Sequence, residues 1–207
     1  METQDIDMVV QRTYRYWYED GLTEIGTGCL FILIGLLFLV ESILPVNSPL
    51  QGISAFGLPV LVIGGMWVGR YVLRALKSRL TYPRTGYVAY RRQSSGRRWS
   101  AFLVAGGIGA LVAVLFIATP ASLAWIPLLD GVAIAIVLLF LGYKVGLIRF
   151  YILAAISALA GAALSLSGID DTAGTAAYFA GMGVALVASG VFALRTYLAE
   201  TQPPVED

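Results

Sequence analysis

Six stretches of about 20 mostly apolar residues restrict what this chain can fold into. They cover residues 25–44, 57–76, 100–119, 125–144, 147–167 and 174–194. A helix of about 20 apolar residues is long enough to cross the hydrocarbon of a bilayer. Only 13% of the residues are charged, whereas a soluble domain carries about 25%. The sequence therefore predicts an all-α, polytopic membrane protein with a six-helix transmembrane bundle.

Residues that favour turns separate most of these segments. PVNSP follows the first segment, TPAS follows the third, and SGIDDTAG lies between the fifth and the sixth. Only a few residues around 144–146 separate the fourth segment from the fifth. Two separate helices are predicted there, and one long bent helix is the alternative.

The fourteen basic residues all lie toward one side of the predicted bundle. Arg12 and Arg15 precede the first segment, and nine more lie at the end of the second segment or in the loop after it. Lys144 and Arg149 flank the short turn, and Arg195 ends the sixth segment. Basic residues stay on the cytoplasmic side during insertion. Both termini and the loop 77–99 are therefore predicted to be cytoplasmic, in a bacterial-type inner membrane.

The predicted organisation has five parts. Residues 1–22 form an amphipathic interfacial helix, 23–76 a transmembrane hairpin, 77–99 a basic cytoplasmic loop, 100–195 four transmembrane helices and 196–207 a cytoplasmic tail. Apolar residues recur three to four positions apart along residues 6–17. Such a helix lies in the headgroup region or packs against the cytoplasmic end of the bundle, and the sequence leaves both alternatives open.

The basic loop is the first candidate for a function. Basic residues beside a bilayer attract anionic phospholipid, each contributing about 1 kcal/mol near the surface. The candidate contacts to anionic phospholipid or to a protein partner are Arg84, Arg91, Arg92, Arg97 and Arg98. The alternative is that these charges only fix the orientation of the helices. No nucleic acid is expected as a partner, because the chain shows no motif of a folded nucleic-acid reader.

Ionisable residues inside apolar segments are the second group of candidates. Asp130 lies within the fourth segment, close to its outer end, and is either a functional carboxylate or one hydrated from outside or held near a helix start. Glu24 and Arg70 both lie near the inner edge of the membrane and are predicted to pair between the first two helices. Alternatively, each reaches separately toward water.

Small residues inside the segments predict close contacts between helices. The candidates for helix packing are Gly65, Gly69, Gly161 and Gly181, all of which belong to rows of small residues four positions apart. Residues that line a substrate path are the alternative reading of the same glycines.

The residue types needed for most enzymatic chemistry are scarce. The chain has no histidine and a single cysteine, Cys29, and it contains no HExxH, GxSxG or P-loop motif. No catalytic residue, metal or cofactor is therefore predicted, and an enzyme is the least expected class. A non-enzymatic interaction or regulatory membrane module is expected first, and a small transporter or channel that uses Asp130 is the alternative. A polar cavity that reaches Asp130 would favour transport, whereas a solid interior would favour the module. Binding to a membrane or cytoplasmic protein, and a homo-oligomer, are both compatible with the sequence.

Overall fold

Five long helices form the part of the chain that the structure, a computed structural model, describes: residues 17–45, 48, 53–80 and 125–201. They are α1 (Leu22–Ile43), α2 (Ile53–Leu80), α3 (Ile126–Val145), α4 (Ile148–Leu166) and α5 (Asp171–Glu200). Each helix is long and apolar enough to cross a membrane, and the described residues contain no strand. Five of the six predicted spans are thereby confirmed as helices. The third span, 100–119, and most of the basic loop lie outside the described residues.

The helix ends differ from the predicted segments because capping, rather than hydropathy, ends a helix. α2 continues past the apolar segment through Lys77 and Arg79. α5 begins at Asp171, and the side chain of its N-cap, Asp170, accepts a hydrogen bond from the backbone N–H of Ala173 at 3.4 Å. An apolar window stops at the first charges, whereas the backbone hydrogen bonds of the helix continue beyond them.

The turn between α3 and α4 separates two antiparallel helices. Gly146 adopts φ 74°, a left-handed conformation that favours glycine, and its N–H donates to the carbonyl of Gly142 at 2.7 Å. The alternative of one long bent helix is therefore wrong.

α1 and α5 pack antiparallel at the centre of the described bundle. α2 packs against α1, whereas α4 packs against α5, and α3 lies against α4 and α5. One end of the bundle, which we call the basic end, holds the start of α1, the ends of α2, α3 and α5, and Lys77, Lys144, Arg149 and Arg195. The opposite end, which we call the far end, holds the starts of α3 and α5.

Glycines seven residues apart bring the backbones of α1 and α5 into contact. The positions concerned, here called the glycine seam, are Gly21, Gly28 and Gly35 on one side and Ala176, Gly183 and Gly190 on the other. A Cβ added at Gly28 would lie 2.6 Å from the carbonyl oxygen of Gly183, and one at Gly183 would lie 2.7 Å from that of Gly28. A seven-residue repeat keeps the same face toward the partner when two helices cross with a left-handed twist.

The four glycines predicted to pack between helices have different surroundings. A Cβ at Gly161 would lie 3.0 Å from the Cα of Gly131 in α3, and one at Gly65 would lie 2.6 Å from the Leu30 side chain. By contrast, none of the atoms of the described residues lies within 4 Å of a Cβ added at Gly69 or Gly181. On α5, the glycines in contact with α1 are therefore Gly183 and Gly190, and Gly183 lies two residues beyond the one singled out by the four-residue row.

Candidate functional site: a buried charge cluster at the basic end

A buried ion pair joins the turn before α1 to the last turns of α2. Asp20 and Lys77 are 0% and 2% exposed, and the carboxylate oxygen lies 2.8 Å from Lys77 Nζ. Lys77 Nζ also donates to the carbonyl of Trp17 at 2.6 Å and lies 4.2 Å from the centre of the Trp17 ring. Asp20 in turn accepts from the backbone N–H of Leu22 at 3.2 Å. These contacts offset the cost of removing both charges from water.

A second ion pair joins α1 to α4 and is supported by α5. Glu24 Oε1 lies 2.7 Å from Arg149 Nε, although the N–H is not aligned for a hydrogen bond. Ser189 Oγ donates to the other carboxylate oxygen of Glu24 at 2.7 Å. Arg149 also donates to the carbonyl of Tyr18. Glu24 is buried, whereas Arg149 is partly open to the surface.

Together these four residues form what we call the charge cluster: Asp20, Glu24, Lys77 and Arg149. Its formal charges cancel, two negative against two positive. The side chains come from α1, α2, α4 and the turn before α1, so the cluster ties these elements together at the basic end. Because both acids are paired, the cluster leaves no net charge to attract an ion into the bundle.

The residues immediately before α1 pack against the bundle. Asp20 is fully buried, and the ring of Tyr18 contacts that of Phe150 edge-on with 5.8 Å between ring centres. Of the two alternatives for the predicted amphipathic helix, its described residues therefore follow the second: they pack against the bundle. Residues 1–16 lie outside the described residues.

The partner of Glu24 differs from the one predicted. In the described residues Glu24 pairs with Arg149 of α4, whereas Arg70 is exposed on α2. Arg70 lies seven residues before Lys77, about 10 Å deeper along the helix, and Lys77 is the residue that reaches the start of α1. Sequence reasoning paired the charges of neighbouring segments. It could not show that α4 lies close enough to α1 for Arg149 to replace Arg70.

Sequence reasoning also missed the pair of Asp20 with Lys77, because Lys77 was assigned to the basic loop. A signal was nevertheless present. Asp20 precedes the first predicted span by a few residues, and Lys77 follows the second span directly. Two antiparallel neighbouring helices of similar length bring such positions to the same depth.

A pocket of about 390 Å³ opens at the surface beside the charge cluster. Arg149 and Ser189 line its inner side, Phe192 and Leu147 form apolar walls, and Glu19 and Glu200 add two carboxylates. Because the pocket is lined by one guanidinium and two carboxylates, it is not suited to bind an anion. Among the described residues, no group of three or more histidine, cysteine, aspartate or glutamate side chains could hold a metal ion.

A smaller, uncharged polar network lies toward the far end. Ser157 Oγ donates to the carbonyl of Gly131 at 2.9 Å and lies 2.7 Å from the hydroxyl of Tyr178. That hydroxyl is 3.4 Å from the backbone carbonyl of Asp130. The Asp130 side chain itself, the predicted intramembrane carboxylate, is half-buried four residues after Ile126, where α3 begins.

Apolar side chains fill the interior between this network and the charge cluster. On α5, Tyr178 and Ser189 are eleven residues apart, about 16 Å along the helix. Met182 and Leu186 lie between them and are buried, and Phe150 and Leu153 of α4 belong to the same core. In the described bundle, the polar groups at the two ends are therefore separated by a packed apolar layer.

No family model, curated protein or solved structure matches this chain. Its function therefore has to be inferred from its own residues.

Proposed function

We propose that this protein is a non-enzymatic interaction module of the membrane whose exposed basic residues contact anionic phospholipid. One observation carries the proposal: the bundle pairs its buried charges internally and leaves the arginines of α2 outside. Lys77 is used within the charge cluster, whereas Arg70, Arg74 and Arg79 are exposed. Charges that have no role in packing are available to a partner at the membrane surface.

Further arginines follow α2 in the chain. The loop that follows α2 adds the five candidate arginines Arg84, Arg91, Arg92, Arg97 and Arg98. Their attraction to anionic lipid would be screened within about 10 Å at 0.1 M salt.

The proposal includes an orientation, with both termini and residues 77–99 on the cytoplasmic side of an inner membrane. Cysteines placed singly at Ser48, Ser95 and Asp170, in a Cys29→Ala background, are to be probed from outside with an impermeant thiol reagent. Reaction at positions 48 and 170 but not at 95 is expected. Reaction at position 95 alone would reverse the orientation.

Transport through Asp130 has less support. A path would have to connect the far end with the charge cluster, and in the described helices a packed apolar layer lies between them. A solid interior is expected for an interaction module, and a polar cavity for a transporter. The close backbone contacts of the glycine seam agree better with the module.

Native mass spectrometry tests the proposed lipid contact. We compare wild type with a variant in which Arg91, Arg92, Arg97 and Arg98 are changed to glutamine, and with Arg195→Gln as a control for an exposed arginine on α5. The loop variant should bind less anionic phospholipid than wild type at low salt, with Arg70, Arg74 and Arg79 holding the remainder. It should still insert, because these arginines and Lys77 maintain the charge bias of α2. Arg195→Gln should retain the lipid.

Equal lipid binding by all three proteins would contradict the proposal. The arginines of the loop would then serve insertion alone or bind a protein partner.

A further inference from the structure

The end of α2 and the start of α3 lie on opposite sides of the bundle. The last turns of α2 reach the basic end, because Lys77 contacts Asp20 before α1, while Gly57 near its start faces Leu37 near the end of α1. α3 begins at the far end, where a Cβ added at Gly174 at the start of α5 would lie 3.2 Å from Pro127. The chain between Leu80 and Ile126 therefore has to pass from one side to the other.

Within this connection, one segment is suited to cross a bilayer. Residues 100–119 contain about 20 apolar or small residues and no charge, whereas residues 81–99 are rich in arginine. The crossing runs from the basic end to the far end, antiparallel to α2.

A face of α2 is open to receive a helix. Among the described residues, no atom lies within 4 Å of a Cβ built at Gly64, and the glycine is surrounded by the exposed side chains of Val60, Trp67, Val68 and Tyr71. These residues lie four before and three, four and seven after the glycine, so all share its face. Gly64 therefore leaves a gap among large side chains on this face. Among the described helices, α2 makes its main contacts with α1 alone.

Small residues in the crossing segment match this gap. In lipid, helices associate where small residues let their backbones approach. Ala105, Gly109 and Ala113 are four residues apart in the segment. Gly64 lies 12 residues before the end of the predicted second span, about 18 Å deep, and Gly109 lies nine residues into the third, about 14 Å deep. Antiparallel packing brings the two glycines to nearly the same depth.

We propose that residues 100–119 cross the membrane antiparallel to α2 and pack against its Gly64 face, with Gly109 opposite Gly64. The occupant of this face is thus a segment of the same chain, and the sixth helix joins the bundle through α2. This inference does not rest on the proposed lipid contact.

Disulfide cross-linking tests the proposal in a Cys29→Ala background, because Cys29 is exposed and would react itself. The test pair is Gly64→Cys with Gly109→Cys, and a disulfide requires Cα atoms within about 7 Å. The control pair is Ile136→Cys with Gly109→Cys, since Ile136 is exposed on α3 at a similar depth. Oxidation should close the first pair within one chain and leave the second open.

Three results would overturn the proposal. The first is cross-linking of the control pair as fast as the test pair. The second is a disulfide-linked dimer of Gly64→Cys alone, which would give the face to a second copy. The third is the absence of a cross-link in both test pairs when the protein is monodisperse, which would mean that lipid covers the Gly64 face. If Gly109→Cys fails to fold, Val60→Cys with Ala113→Cys serves as the test pair.

Discussion

The two ends of the bundle hold their polar groups in different ways. At the basic end, charged side chains meet as buried ion pairs, Asp20 with Lys77 and Glu24 with Arg149. Toward the far end, the buried contact is uncharged and joins Ser157 to Tyr178 and to a backbone carbonyl. The ion pairs link residues far apart in the chain. The hydroxyl contact links α3, α4 and α5, whose backbones and apolar core already hold them together.

Polar groups that are equally buried can therefore differ in how much their loss reduces the stability of the protein. Removing one partner of a buried ion pair leaves an uncompensated charge and costs about 3–5 kcal/mol. Removing one interhelical hydrogen bond of an uncharged group within a membrane costs about 0.6 kcal/mol. The basic end should therefore be much more sensitive to single substitutions than the far end.

The largest effect is expected from Asp20→Asn. Lys77 would remain buried beside Trp17 without its carboxylate, and the free energy of unfolding should fall by about 3–5 kcal/mol. Thermal unfolding in detergent measures the loss. The double variant Asp20→Asn with Lys77→Met removes both charges and should recover most of the stability. A double variant as unstable as Asp20→Asn would show that the charges are not what the substitution disturbs.

A smaller effect is expected from Glu24→Gln. Glutamine can still accept from Ser189, and Arg149 is partly open to the surface pocket, so the loss should be about 1–3 kcal/mol. A double-mutant cycle sharpens the test. Glu24→Gln should couple to Arg149→Gln by at least about 0.5 kcal/mol and be additive with Arg70→Gln. Coupling to Arg70 in place of Arg149 would restore the pair predicted from sequence.

The smallest effect is expected from Tyr178→Phe. The substitution removes the hydroxyl contact to Ser157 but keeps the buried ring, so stability should fall by about 0.6 kcal/mol. Ser157→Ala should cost a similar amount, and combining both should cost little more than either. A loss as large as that of Asp20→Asn would remove the contrast between the two ends.

The sequence was sufficient to predict the helices and their limits to within a few residues. Long apolar runs identify spans because the bilayer fixes their length, and Gly146 and Asp170 mark helix ends through local backbone chemistry. These features depend on residues close together in the chain. The third span and most of the basic loop remain predictions.

The arrangement of the helices could not be predicted in the same way. Glu24 pairs with Arg149 rather than with Arg70 because α4 lies close to the start of α1. No local sequence pattern encodes that position of α4. The glycine seam did carry a signal, since Gly21, Gly28 and Gly35 are seven residues apart. A pattern of four-residue rows does not include that period and favours Gly181, which has no close neighbour on another described helix.

Backbone contact at the glycine seam holds α1 and α5 together at the centre of the described bundle. This contact is tested most directly by comparing Gly183→Leu with Gly181→Leu, two residues apart on α5. At Gly183 a side chain would meet the carbonyl of Gly28 and the backbone N of Ile32 within 2.8 Å, whereas at Gly181 it meets no atom of the described part of the chain within 4 Å.

Thermal unfolding of the two purified variants in the same detergent is the measurement. Gly183→Leu should be destabilised by about 3 kcal/mol or fail to form a monodisperse protein, and Gly181→Leu should remain within about 0.5 kcal/mol of wild type. Equal stability of the two variants, or a greater loss for Gly181→Leu, would contradict the glycine seam.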